Sequence, residues 1–134
     1  MLRAMSLELI EQGVTEHFRN RADVCAAYLF GSRATGTERD DSDVDVGLLY
    51  FQVPQATLTT FPFGDEADLT DELGLVVQLI VMNTAPPDLV HRILRHERLL
   101  FDKDPSFRIR FEVKHRNEYF DLKPVLDRYR RKTA

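Results

Sequence analysis

The stretch that most constrains the fold is residues 29–50, where a polar loop joins two apolar runs. The first run, VCAAYLF, ends at Gly31-Ser32, and ten residues separate Ser32 from Asp43-Val44-Asp45, which opens the second run. Short apolar runs bounded by glycine and acidic residues are typical of buried strands. The sequence therefore predicts two strands, 24–30 and 44–51, connected by a polar turn.

Two carboxylates open the second of these strands. Alternate side chains of a strand share a face, so Asp43 and Asp45 are expected to point the same way while Val44 and Val46 point the other way. Carboxylates two residues apart on a strand lie roughly 6.5–7 Å apart at the backbone, within range of shared hard cations. We predict that Asp43 and Asp45 are metal ligands.

The exit from the first strand has the composition of a phosphate-binding turn. Gly31 permits a tight turn, and Ser32 can cap the helix or turn that follows. Backbone N–H groups at such a turn are suited to binding phosphate. A phosphate site beside paired carboxylates is what metal-assisted phosphoryl or nucleotidyl transfer requires.

Length and composition indicate one globular domain, 1–134, with a core at about 6–103 and a helical tail at about 104–132. The apolar runs are shorter than the roughly 18 residues of a membrane span, so no membrane association is expected. Cys25 is the one cysteine of the 134 residues, which excludes an internal disulfide and favours a cytoplasmic location. We expect Cys25 to be a buried, inert thiol.

Charge is distributed unevenly along the chain. Residues 1–101 hold eight Lys and Arg against sixteen Asp and Glu, whereas residues 102–134 hold ten against six. A net-acidic body argues against broad nucleic-acid binding. The basic tail suits the end of a helix or an acidic partner.

The remaining patterns predict a small α/β (α+β) domain: a mixed sheet of three to four strands flanked by helices, with a C-terminal helix. Apolar residues at helical spacing predict an N-terminal helix whose N-cap is Ser6, and Gly74 is expected to end an acidic helix. The apolar run 75–82 reads as a third strand and 98–101 as a fourth. The tail from Ser106 reads as helical, with a kink at Pro124.

The stretch LFGSRATGTERDDSDVDVGLLY resembles the signature of the polymerase-beta-type nucleotidyltransferases. Within them the chain is similar to the minimal nucleotidyltransferases (MNT), the MntA-like antitoxins often paired with a HEPN ribonuclease toxin. The segment LIVMNTAPP, the helix after it and the tail EYFDLKPVLDRYRRK resemble the second half of such proteins.

This resemblance implies a nucleotidyltransferase fold and the transfer of a nucleoside monophosphate, AMP from ATP, to a hydroxyl. It implies that Gly31 and Ser32 hold the triphosphate, that Asp43 and Asp45 bind two Mg²⁺ ions, and that a HEPN toxin is the protein partner. Arg33 and Arg39, in the intervening loop, could offer charge to phosphate or simply be solvated.

One position departs from the family pattern. Aligned through the turn 83–87, the family's third carboxylate falls on Gln78, whose amide cannot accept the proton of an attacking hydroxyl. Gln78 is either at the site or a satisfied core amide. Three functional alternatives stay open: a transferase whose proton acceptor is the target or water, an inactive binding module that neutralises its partner by contact, and a small-molecule adenylyltransferase. The last class usually carries a second helical domain, for which we expect no room in this chain.

Overall fold

The computed structural model describes residues 6–55, 62–95 and 98–133. Helices and strands alternate through most of these ranges, as expected for an α/β protein. In chain order they are α1 Leu7–Phe18, β1 Val24–Phe30, α2 Ser32–Thr35, β2 Val44–Tyr50, α3 Phe63–Leu73, β3 Val77–Val81, α4 Pro87–Arg95, β4 Arg98–Asp102 and α5 Pro105–Thr133.

The four strands form one mixed sheet in the order β3-β2-β1-β4. β1 is antiparallel to both β2 and β4, whereas β2 and β3 are parallel. The expected mixed sheet with flanking helices is confirmed. Its register aligns Asp45 of β2 with Phe30 at the end of β1 on one side and with Gln78 of β3 on the other.

The sheet separates two apolar layers. One layer includes Ile10, Val14 and Phe18 of α1 together with Leu69 and Leu73 of α3. The other lies under α4 and the start of α5 and includes Tyr28, Leu49, Met82, Val90 and Ile93. Because side chains alternate along a strand, Asp45 shares its face with Gly47 and Leu49, so the acidic end of β2 belongs to the layer covered by α4 and α5.

Local signals place several boundaries where the sequence predicts them. Ser6 caps α1, its Oγ accepting from the Leu9 N–H at 3.2 Å, and Gly74 ends α3 with a φ of 72°. The predicted second strand is one residue too long, because β1 starts at Val24, opposite Tyr50, and Phe51 bonds instead to the turn before β1, its N–H donating to the Asp23 carbonyl at 2.8 Å. The predicted third strand is shortened to β3 for the same reason, since pairing with β2 begins at Val77.

Polar contacts fasten α5 to the sheet. The Tyr28 hydroxyl donates to Glu112 at 2.8 Å, and the Arg108 guanidinium binds both Asp102 at 2.6 Å and Glu112 at 3.1 Å. These carboxylates raise the pKa of Arg108. α5 then continues through Pro124, where the sequence predicts a kink.

Two further expectations concern the single cysteine and the absence of a membrane-spanning helix. Cys25 is buried, as predicted, and burial raises the pKa of its thiol. No helix in the described ranges combines the length and the apolar character needed to cross a membrane.

Candidate active site

The turn after β1 depends on a glycine. Gly31 has a φ of 76° and a ψ of −157°, a conformation that is essentially restricted to glycine. It is also the N-cap of the short helix α2, so Ser32 is the first residue of that helix and not its cap, in contrast to the interpretation from sequence. The N–H groups of Ala34 and Thr35 in α2 both donate to the Gly31 carbonyl, at 3.1 and 3.3 Å. The N–H groups of the first residues of a helix, here Ser32 and Arg33, have no acceptor from the helix itself.

Gly31 also leaves room for a carboxylate. A Cβ atom at this position would overlap Oδ2 of Asp45, so a larger residue here would displace that carboxylate. Asp45 is half-buried, and burial raises the pKa of its carboxyl, with a further contribution from the charge of Asp43. The turn and strand therefore hold a carboxylate in a place where a nearby positive charge would stabilise its ionised form.

Asp43 and Gln78 complete the cluster. Asp43 is exposed and immediately precedes β2, while Asp45 lies within the strand. Gln78, aligned with Asp45 in the register, donates from Nε2 to Oδ2 of Asp43 at 3.2 Å. Gln78 is exposed, so the alternative of a buried core amide is wrong. The structure brings Gly31, Asp43, Asp45 and Gln78 together, with Ser32 next in the chain.

The donor set suits Mg²⁺ with a phosphate co-ligand. No group of three or more His, Cys, Asp and Glu side chains able to hold a metal occurs within residues 6–55, 62–95 and 98–133. Two carboxylates are nevertheless sufficient for Mg²⁺, which is commonly bound by one or two carboxylates together with substrate phosphates and water. Asp43 and Asp45 would supply the carboxylates, and the Gln78 side-chain oxygen is a neutral acceptor beside them.

The two arginines between Ser32 and Asp43 have different environments: Arg33 lies in α2 and Arg39 in the loop that follows. Arg39 is exposed. Arg33 is only 3% exposed, and its guanidinium donates to the main-chain carbonyls of Arg39, Asp40 and Ser42. The interpretation of Arg33 as a phosphate-facing or solvated residue is therefore wrong. The sequence gives one hint of this role, since a loop rich in polar residues leaves carbonyls that need donors.

Comparison with known proteins gives the chain a family. The polymerase beta nucleotidyltransferase family model matches residues 12–106. This range includes Gly31, Asp43, Asp45 and Gln78. No curated protein sequence matches the chain significantly.

Solved structures share the fold at low sequence identity. A toxin–antitoxin structure with AMP-PNP is 20% identical with a TM-score of 0.73, covering 89% of this chain and 97% of that one. A structure of tri-AMPylated Shewanella oneidensis HEPN toxin in complex with MNT antitoxin contains a chain that is 18% identical, with a TM-score of 0.69 and coverage of 91% of this chain and 97% of that one. The MntA-HepT toxin–antitoxin structure is also 18% identical, with a TM-score of 0.68 and coverage of 91% and 97%. The family model and the fold agree, and the chain belongs to the polymerase beta nucleotidyltransferase family.

Proposed function

We propose that this protein is a minimal nucleotidyltransferase that transfers AMP from ATP to a hydroxyl of a HEPN-family toxin and thereby acts as its antitoxin. The observation that carries the proposal is the fit of Gly31 against the Asp45 carboxylate, beside Asp43. Family membership supports the reaction type, and the likeness to toxin–antitoxin structures, one with AMP-PNP and one with an AMPylated toxin, supports the nucleotide and the partner.

In this proposal each residue of the cluster has a part. Asp43 and Asp45 would hold two Mg²⁺ ions, which supply positive charge to the reacting phosphate and to the leaving pyrophosphate. Gly31 and the N–H groups that follow it, including that of Ser32, would accommodate the triphosphate. A bond forms between the acceptor oxygen and the α-phosphorus, and the bond from that phosphorus to the bridging oxygen breaks to release pyrophosphate.

The proton of the acceptor hydroxyl needs another destination than Gln78. An amide cannot take it at neutral pH, so the proton passes to water or to a base on the acceptor protein. Loss of a positioned general base slows such reactions by about 10²–10⁴-fold, which predicts a slow enzyme.

Gln78 also favours a second candidate function, that of a binding module which neutralises its partner by contact. Its hydrogen bond to Asp43 supplies an uncharged neighbour where the family pattern has a third carboxylate. In this alternative the nucleotide site is retained without turnover. The two candidates share the complex with a HEPN protein and differ in whether the toxin is modified.

Intact-mass spectrometry of a candidate HEPN partner distinguishes them. The partner is incubated with ATP, Mg²⁺ and either this protein or its Asp43→Asn/Asp45→Asn variant. A gain of one or more AMP on the partner, seen with this protein and not with its double variant, supports transfer. A stable complex without any gain supports the binding module, and neither complex nor gain would redirect the search to small-molecule acceptors.

A further inference from the structure

The short helix α2 contains a buried arginine, Arg33, that the proposed chemistry does not use. Nε of Arg33 donates to the Ser42 carbonyl at 3.0 Å, and Nη2 donates to the same carbonyl at 2.9 Å and to that of Asp40 at 3.2 Å. A longer contact joins Nη2 to the Arg39 carbonyl at 3.4 Å. The planar guanidinium thus donates to three main-chain carbonyls between residues 39 and 42, with a fixed fork geometry that the rotatable ammonium of lysine does not have.

These hydrogen bonds hold a tight turn, residues 39–42, that immediately precedes Asp43. Within the turn the Ser42 N–H donates to the Arg39 carbonyl at 3.1 Å, and the Ser42 side chain accepts from the Arg39 N–H at 2.7 Å. The residue after Asp43 is fixed as well, because the Val44 N–H donates to the Val76 carbonyl at 2.8 Å. Asp43 therefore lies between the turn that Arg33 holds and Val44, the first residue of β2 that pairs with β3.

Asp43 itself has little else to orient it. It is exposed, in contrast to half-buried Asp45, which fits against Gly31. Among residues 6–55, 62–95 and 98–133, its side chain accepts a hydrogen bond from the Gln78 amide at 3.2 Å. The position of its carboxylate depends mainly on where the main chain of the turn places it.

We propose that Arg33 is a positioning residue for the metal site, which orders the 39–42 turn and thereby sets the carboxylate of Asp43. This inference rests on the proposed function, because it assigns Asp43 to metal binding. Since Arg33 acts through the main chain, its loss should weaken binding of a metal–nucleotide complex even while the protein stays folded.

Two measurements on folded protein test this role. The first is titration of Mn²⁺ with a non-hydrolysable ATP analogue, followed by electron paramagnetic resonance at a temperature where circular dichroism shows each variant fully folded. The second is hydrogen exchange of the amides of residues 37–44. Arg33→Met removes the donors, Arg33→Lys keeps the charge without the planar fork, and Arg110→Met on the exposed side of α5 is the matched control.

Arg33→Met and Arg33→Lys should both raise the dissociation constant of the Mn²⁺ complex roughly tenfold, since small displacements at a site have large effects. Exchange at 37–44 should accelerate by about tenfold in both, while Arg110→Met behaves like the unchanged protein. Binding within about twofold of the unchanged protein in folded Arg33→Met would overturn the inference alone, as would full binding by Arg33→Lys, which would assign the effect to charge. If the unchanged protein binds no Mn²⁺–nucleotide, the proposed function fails first, and the inference falls with it.

Discussion

Gly31 combines two requirements in one residue. Its backbone occupies a region that other residues enter only at a cost of order 1–3 kcal/mol, and its missing Cβ makes space for Asp45. Both requirements come from the same chain reversal, which brings the end of β1 against the carboxylate on β2.

Gly31→Ala should therefore lower stability by about 1–3 kcal/mol and also abolish Mn²⁺–nucleotide binding, because the new methyl group displaces the Asp45 carboxylate. Urea unfolding and metal titration measure the two effects. Gly36→Ala is the control: Gly36 also has a φ of 76°, but a Cβ there meets no atom within 4 Å. Equal metal binding by the two variants would contradict the role given to Gly31.

Gln78 is the residue on which the expected rate depends. Gln78→Asp should raise the transfer rate by about 10²-fold or more, because it restores a carboxylate beside Asp43 that can bind metal and accept a proton. Gln78→Asn is the control of matched size without the charge. The measurement is the initial rate of nucleotide transfer at saturating Mg²⁺, and identical rates for the two substitutions would rule out a missing carboxylate as the cause of slow turnover.

The sequence reveals the residues of the cluster better than their supports. Period-2 alternation identifies Asp43 and Asp45 as neighbours on one face, and the glycine before α2 points to the turn. It could not reveal the burial of Arg33, because that depends on the loop folding back so that carbonyls of residues 39–42 meet a side chain six to nine positions earlier.

At the scale of elements, apolar runs locate all four strands and the C-terminal helix, and errors are confined to the ends. The end of a strand depends on where its partner strand begins. That depends on the pairing register, which the sequence of one apolar run does not reveal. α5 is one helix that runs through Pro124, where the sequence predicts a kink. Phe120 and Pro124 are both exposed, so water can satisfy the carbonyl that Pro124 leaves without a donor, and the helix continues.

The packing of α4 on α5 includes a histidine whose surroundings lower its pKa. The ring of His91 stacks on Tyr119 with centroids 3.7 Å apart, and burial together with Arg95 and Arg116 lowers the pKa of His91. A histidine whose pKa is lower in the folded state binds its proton first in the unfolded chain, so acidification through its ordinary value near 6.5 favours unfolding.

The free energy of unfolding should therefore fall between about pH 7.5 and pH 5.5, and it should fall less in His91→Phe, which keeps a ring against Tyr119 but cannot titrate. Urea unfolding at the two pH values measures this difference. Tyr119→Phe retains both the stack and the histidine and should show the same fall as the unchanged protein. A fall of equal size in His91→Phe would show that His91 is not its source.

At the scale of the whole molecule, the sheet brings sequence-distant residues together at one end of its strands. Gly31 ends β1, Asp43 and Asp45 open β2, and Gln78 lies on β3, yet the strand order places them side by side. The family assignment and the shared fold agree with each other. The proposed antitoxin role and the proposed nucleotide chemistry both depend on whether this end of the sheet binds a magnesium nucleotide.

Isothermal titration of a non-hydrolysable ATP analogue, with and without Mg²⁺, tests that dependence most directly. The unchanged protein should bind the analogue only when Mg²⁺ is present, and Asp43→Asn/Asp45→Asn should lose this binding while retaining the unfolding midpoint, because asparagine preserves shape without charge. Unchanged Mg²⁺-dependent affinity in the double variant would contradict the account, since the nucleotide would then be bound at some other place on the molecule.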